Sequence, residues 1–203
     1  MGINDKNNLL ARIGEMQRVH LELGCGSRKR DPGAIGIDAL DYNCVDLVGD
    51  VFEVLNKFSD DSVDAVHSSH FFEHLPEPAP LMNELQRVVK INGLLEIIVP
   101  HFTNPYFYSD ATHKSQYGLY TFCPFSKDSP FKRQVPSYQM EPHFQIIDVN
   151  LIFKSSPPFL FRHAIKKAIG TLVNLNCYTK EFYEENLCYI FPCYEICYSL
   201  ERI

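Results

Sequence analysis

Short apolar runs separated by polar turns recur through the first half of the chain. Val19 to Leu23, Ile35 to Ala39, Val45 to Val48, Val63 to Ser68 and Leu94 to Val99 each read as a buried strand. Such runs are too short for a helix and too evenly apolar for a half-exposed strand. Ahead of them, Leu9, Leu10, Ile13 and Met16 recur at helical spacing and predict a helix over residues 7–17. Between the fourth and fifth runs, Pro78 and Pro80 suit a first helical turn. Leu81, Leu85, Val88 and Val89 then form one apolar stripe, with Asn92-Gly93 as the expected stop. Strands alternating with connecting segments predict an α/β fold with a doubly wound, mostly parallel sheet.

The pattern changes after residue 100. Residues 100–143 are rich in Pro, Phe, Tyr, His and Ser and show weak periodicity. A long irregular segment in a compact domain is usually functional, and this one can fold as a lid over the carboxyl ends of the strands. Phe144 to Phe153 predicts a further strand. Ile165, Ile169, Leu172 and Val173 give residues 159–174 one helical face. Residues 179–187 read as a short helix capped by Thr179, and Tyr194 to Leu200 as the last strand. No repeat or linker divides the chain. The expectation is a single domain over 1–203, with the lid at 100–143 and a helical insertion at 155–190.

The most telling chemistry is Glu22-Leu23-Gly24-Cys25-Gly26, with Asp38 at the tip of the next strand. A strand ending in a Gly-x-Gly turn lets a ligand touch bare backbone, and a carboxylate on the neighbouring strand can accept from a ribose diol. This predicts a nucleoside cofactor. A dinucleotide fingerprint would place a third glycine where Lys29 stands, so a phosphate-bearing cofactor is disfavoured. Acidic groups at Glu22 and Asp38 complement an ammonium and a diol, and would repel a phosphate.

Composition narrows the partners. The 203 residues carry a net charge of −6, against the basic footprint of a nucleic-acid binder. No run is long enough to cross a bilayer. Seven cysteines, an odd number without Cys-x-x-Cys spacing, read as buried thiols of a reducing, cytoplasmic protein, so no metal is expected.

Residues 18–100 resemble the class I S-adenosylmethionine-dependent methyltransferases. The resemblance is carried by Glu22 to Gly26, Asp38, Gly49-Asp50, Ser62-Val-Asp64 through Phe72-Glu73-His74-Leu75, and Leu85-Gln-Arg87 through Gly93. It implies a Rossmann-like seven-stranded sheet whose last strand is antiparallel, and S-adenosylmethionine as cofactor. It also implies roles. Glu22 would hold the amino group, and Gly24, Cys25 and Gly26 would admit the cofactor. Asp38 would bind the ribose, Asp50 and Val51 the adenine, and Ser68 and Ser69 the methionine side. His74 would be structural.

The acceptor side follows the fifth strand. His101-Phe-Thr-Asn104 through Asp110-Ala-Thr-His113-Lys114 is similar to a segment of small bacterial methyltransferases in the methyltransferase-11-like subgroup. Asp110 and His113, one helical turn apart, suit a general base with its orienting carboxylate. His101 should sit at the sheet tip. These three are the candidate catalytic residues. Tyr106, Tyr108, Tyr117 and Tyr120 either wall the acceptor or pack the lid, and Arg28-Lys29-Arg30 is either a solvated loop or a contact for an anionic acceptor. The expected reaction is methylation of a hydroxyl on a small molecule, with a sugar or nucleotide sugar as candidates. N-methylation of a small amine, or a non-catalytic cofactor-binding partner role, are the alternatives. The helical insertion covers substrate or forms a homodimer contact.

Overall fold

A computed structural model describes residues 2–137, 141–155 and 157–203. The lid and the insertion foreseen at 100–143 and 155–190 therefore lie within the described residues except for positions 138–140 and 156.

The strands are β1 (Asn4–Asp5), β2 (His20–Leu23), β3 (Ile35–Asp38), β4 (Leu47–Val48), β5 (Val63–Ser69), β6 (Val89–Pro100), β7 (Phe144–Ile152) and β8 (Glu195–Arg202). They form one sheet in the order β1-β4-β3-β2-β5-β6-β8-β7. β4, β3, β2, β5 and β6 run parallel, and β8 is antiparallel to both β6 and β7. This is the expected α/β Rossmann-like sheet, with an antiparallel final strand. The eighth strand is the two-residue β1, hydrogen-bonded antiparallel to β4 at the edge.

Among the described residues, four α-helices join the strands: α1 (Val51–Leu55), α2 (Ala79–Val88), α3 (Leu160–Val173) and α4 (Cys177–Asn186). The apolar stripe of α2 buries Leu81, Met82, Leu85 and Val88 in the same core as Leu21, Leu23, Val66 and Leu95. Burial alternates along β5, β6 and β8, so one sheet face is packed and its opposite is open to solvent in the centre. The eleven-residue connection from β2 to β3 contains no helix, and a cleft of about 510 Å³ lies over β2, β5, β6 and β8 on the open face, near Glu22, His67, Glu96 and Ser199.

Three local expectations are corrected. Residues 7–17 form no α-helix; a 3-10 turn stands at Ile13–Glu15. The Asp5 carboxylate accepts from the N–H groups of Leu9 and Leu10 at 2.8 and 2.9 Å, which holds this stretch as a loop. Leu9, Leu10, Ile13 and Met16 still pack against the core, which explains their spacing. Second, α2 ends at Val88, four residues before Asn92, because the chain has already joined the sheet at Val89. The register slips between Val63↔Val89 and Ala65↔Leu94, and Asn92 takes up the irregularity at φ +63°. Third, Asn176 caps α4, with Thr179 as the reciprocal member of a capping box.

The segment after β6 packs tightly. Phe107, Tyr117, Leu119, Phe122, Phe125 and Phe131 are buried, and Phe122 meets the ring of Tyr198 edge-on at 4.6 Å.

Candidate functional site

The carboxyl edge of the parallel strands gathers most of the residues singled out by sequence. Gly24 leaves β2 at φ +63°, and its N–H donates to Ile37 of β3 at 2.9 Å. A Cβ there would lie 2.6 Å from the Cβ of Phe71, so the turn is glycine by necessity. Gly26, at φ +57°, has nothing within 4 Å of a built Cβ. Its N–H donates to Asp38 Oδ2 at 2.8 Å, while Asp38 Oδ1 accepts from Leu40 at 2.8 Å. One carboxylate thus fixes the glycine turn relative to the tip of β3.

Asp50 caps α1, accepting from Phe52 and Glu53, and Val51 is the first residue of that helix. Ser68 is buried, with its hydroxyl 3.5 Å from the Leu23 carbonyl. Ser69 joins Glu22, Gly24, Cys25, His67 and Ile98 around a second cleft of about 460 Å³. Glu22 is buried and already committed: both its oxygens accept from the Arg30 N–H, at 2.8 and 2.9 Å, and Oε2 also from Asp31. It organises the loop that replaces a helix after β2. Burial, helped by Cys44, Asp38 and Glu22 nearby, pushes the Cys25 thiol up to about 12, so it stays protonated.

The basic triplet divides. Lys29 is tied to Asp46 at 2.7 Å and to the Ala34 carbonyl, and Arg30 pairs with Glu96 beside His67. Arg28 makes no ion pair among the described residues and lines the second cleft.

Next to the edge lies a cluster centred on His70. His70 leaves β5 in the left-handed region, at φ +55°. Its Nδ1 is 3.1 Å from Glu73 Oε1 and its Nε2 2.9 Å from Glu195 Oε1. Lys154 donates to Glu195 at 2.6 Å. Glu195 and then Glu73 raise the imidazole to about 9, so it is a cation at neutral pH and no proton acceptor. Burial works against the Glu195 carboxylate, yet His70 and Lys154 hold its pKa below the usual range. No sequence signal could reveal this group, since Glu195 lies 125 residues from His70.

Asp110 and His113 come together as expected, with Asp110 Oδ2 3.7 Å from His113 Nε2. The Phe107 carbonyl accepts from His113 Nδ1 at 2.9 Å. The Thr112 hydroxyl and N–H hold the Asp110 carboxyl below its ordinary value. The His74 and His113 rings lie 5.1 Å apart, centre to centre, and Glu73, His74 and His113 each present a potential ligand atom within 4.8 Å of the other two. His101 sits elsewhere. It is fully buried, between Thr103 at 2.7 Å and Glu184 at 3.1 Å. Of the tyrosines, Tyr117 is core, Tyr120 bonds Glu181, and Tyr106 and Tyr108 are exposed.

Residues 25–97 match the family model described as "Methyltransferase domain". Among solved structures, the chain is similar to a SAM-dependent methyltransferase from Archaeoglobus fulgidus, with a TM-score of 0.55 and 21% identity over 96% of this chain and 93% of that one. It is also similar to an S-adenosylmethionine-dependent methyltransferase from Mesorhizobium loti, with a TM-score of 0.51 and 12% identity over 98% of each chain. A third similar structure is the Haloferax volcanii complex containing the Trm112 methyltransferase activator, with a TM-score of 0.51 and 15% identity over 95% of this chain and 87% of that one. No curated protein matches the chain. No helix among the described residues is long and apolar enough to cross a membrane.

Proposed function

We propose that the chain is an S-adenosylmethionine-dependent methyltransferase that methylates a hydroxyl of a small molecule, with a sugar or nucleotide sugar as the class to test first; the family-model match over residues 25–97 and the shared fold support this reading. Bound S-adenosylmethionine supplies an electrophilic methyl group on a sulfonium. The residues fit such a ligand. The space beside Gly26, which a Cβ would fill, leaves its backbone open to approach, and Asp38 sets a carboxylate beside it. In this reading Gly24, Cys25 and Gly26 form the contact turn. Asp38 takes the ribose, Asp50 and Val51 the adenine, and Ser68 and Ser69 flank the methionine end. Glu22 acts one step removed, by fixing the loop at Arg30 and Asp31.

The hydroxyl assignment rests on one observation: the approach of His113 to Asp110. A carbonyl can only accept, so His113 Nδ1 donates to Phe107, and Nε2 is the nitrogen that faces Asp110. An alcohol must lose a proton as it is methylated, and in this reading the His113–Asp110 pair receives it. His101, enclosed by Thr103 and Glu184, is a positioning residue for the chain leaving β6. Residues 100–143 serve as the acceptor-side lid, within a single domain.

The test is a screen for S-adenosylhomocysteine release across sugars, nucleotide sugars, phenols and amines, run beside calorimetry with S-adenosylmethionine. Binding that is lost in Asp38→Ala, with turnover on a hydroxyl acceptor that falls at least about 100-fold in His113→Ala, supports the reading. Turnover on amines alone overturns the hydroxyl assignment. Cofactor binding without turnover on any acceptor favours the non-catalytic partner role.

A further inference from the structure

We propose that Glu73, His74 and His113 form a binding site for a divalent first-row transition cation of the zinc type. The three side chains reach one another from two directions. Glu73 and His74 lie in the 3-10 turn that follows β5, and His113 arrives on the loop after β6. The Glu73 carbonyl clamps that loop by accepting from the N–H groups of Lys114 and Ser115 at 2.7 and 3.2 Å. A ligand atom from each side chain then lies within 4.8 Å of the other two.

Independent observations indicate a cation. Glu73 is fully buried; its Oε1 faces His70, but Oε2 has no hydrogen-bond partner among the described residues. A buried carboxylate oxygen is costly to leave unpaired, and a metal ion answers that need. Both imidazoles are also set as ligands. His113 Nδ1 donates to the Phe107 carbonyl, which leaves Nε2, 3.7 Å from Asp110 Oδ2, as the nitrogen that can ligate. His74 Nδ1 lies 2.9 Å from the Thr112 hydroxyl, whose own hydrogen goes to Asp110 Oδ1 at 2.6 Å. The hydroxyl therefore accepts from His74, and Nε2 is again the nitrogen that can ligate. Ligating histidines regularly anchor their other nitrogen in this way. Two imidazoles and one carboxylate suit zinc, cobalt or a similar ion and leave coordination positions open; magnesium and calcium call for oxygen ligands.

The site's role, as distinct from its existence, rests on the functional reading above. The 3-10 turn begins next to Phe71, which packs on Gly24, so a cation there would stand beside the methyl-donor turn. Because it would occupy His113 Nε2, the ion would take over that nitrogen's part: it would acidify an acceptor hydroxyl, and Asp110 in place of His113 would receive the proton.

Protein dialysed against a chelator, then against buffer, is titrated with Co²⁺ and Zn²⁺ by absorbance and calorimetry. The expected result is one equivalent of Co²⁺ bound without a sulfur-to-metal charge-transfer band, since the chain's cysteines are not ligands. Glu73→Gln and His113→Ala should each weaken Zn²⁺ binding by about 100-fold, and Thr112→Val, which removes only the anchor of His74, by about 10-fold. His143→Ala should leave binding unchanged. No stoichiometric uptake, a thiolate band, or equal affinity in Thr112→Val and the wild type would overturn the site. S-adenosylmethionine calorimetry on the same samples separates this outcome from a failure of the methyltransferase reading.

Discussion

At the scale of single residues, the two glycines of the turn make separable demands. Both have positive φ, but only Gly24 faces an atom that cannot move aside, because the nearest contact is the Cβ of Phe71 rather than its ring. Gly24→Ala should therefore cost about 3 kcal/mol, combining backbone strain and overlap. Gly26→Ala should cost about 1 kcal/mol, the strain alone. Urea denaturation of the two variants measures the difference, and equal losses would refute the steric account. A second residue-scale prediction concerns Asp64. Burial opposes ionisation of its carboxyl, but the Lys90 ammonium at 2.7 Å and the Val19 N–H at 2.7 Å outweigh it and lower the pKa. A carboxyl with a lower pKa folded than unfolded lends stability above its unfolded value, near pH 4, and loses it as pH falls through the folded value. Asp64→Asn should thus lower the melting temperature at pH 7 and flatten its decline between pH 5 and pH 2. An acid limb identical to the wild type would exclude the effect. Residues of this kind were legible where the partners are close in sequence, as with Gly24, Gly26 and Asp38. They were illegible where partners lie far apart, as with His70, Lys154 and Glu195, because no local pattern encodes a contact across 125 positions.

At the scale of elements, the parallel strands were legible because a strand with neighbours on both sides and a packed face is nearly all apolar, as in Leu94 to Val99. The helix ends were not, because tertiary demands override local stop signals: the sheet claims Val89 although Asn92-Gly93 marks the stop. The capture of α2 depends on Arg87 in its last turn. The guanidinium donates to the carbonyls of Leu55 and Phe58 at 3.0 and 2.9 Å and pairs with Asp60 and Glu84. It thereby closes the end of α1 against the end of α2. Arg87→Ala removes donors from partly buried carbonyls and should cost about 2 kcal/mol, read as a lower urea midpoint at unchanged slope. Arg87→Lys keeps the charge but not the fork of donors, and should recover less than half of the loss. Full recovery by lysine would show that charge alone matters.

At the scale of the whole molecule, the sheet places its second half by means that the sequence pattern hides. Strand polarity followed from the family resemblance, but the attachment of the irregular segment and of α4 depends on one carboxylate. Glu184 of α4 is mostly buried; its Oε2 lies 3.1 Å from His101 Nε2 and 2.9 Å from the Leu119 N–H. The Thr103 N–H donates to His101 Nδ1, so Nε2 carries the ring proton and donates to Glu184. A single side chain on the insertion therefore joins the residue after β6, the middle of the aromatic segment and the helical pair. Glu184→Ala leaves an imidazole N–H and a backbone N–H without partners in the interior, and should cost about 3 kcal/mol. For a chain of this length that corresponds to a melting temperature lower by about 9 °C. Glu185→Ala, on the exposed side of the same helix, should change it little. Glu184→Gln, which keeps an acceptor oxygen, should fall between the two. If Glu184→Ala melts with the wild type, the aromatic segment holds its place through Tyr117, Phe122 and Tyr198 alone, and α4 is a passenger on the sheet rather than its clamp.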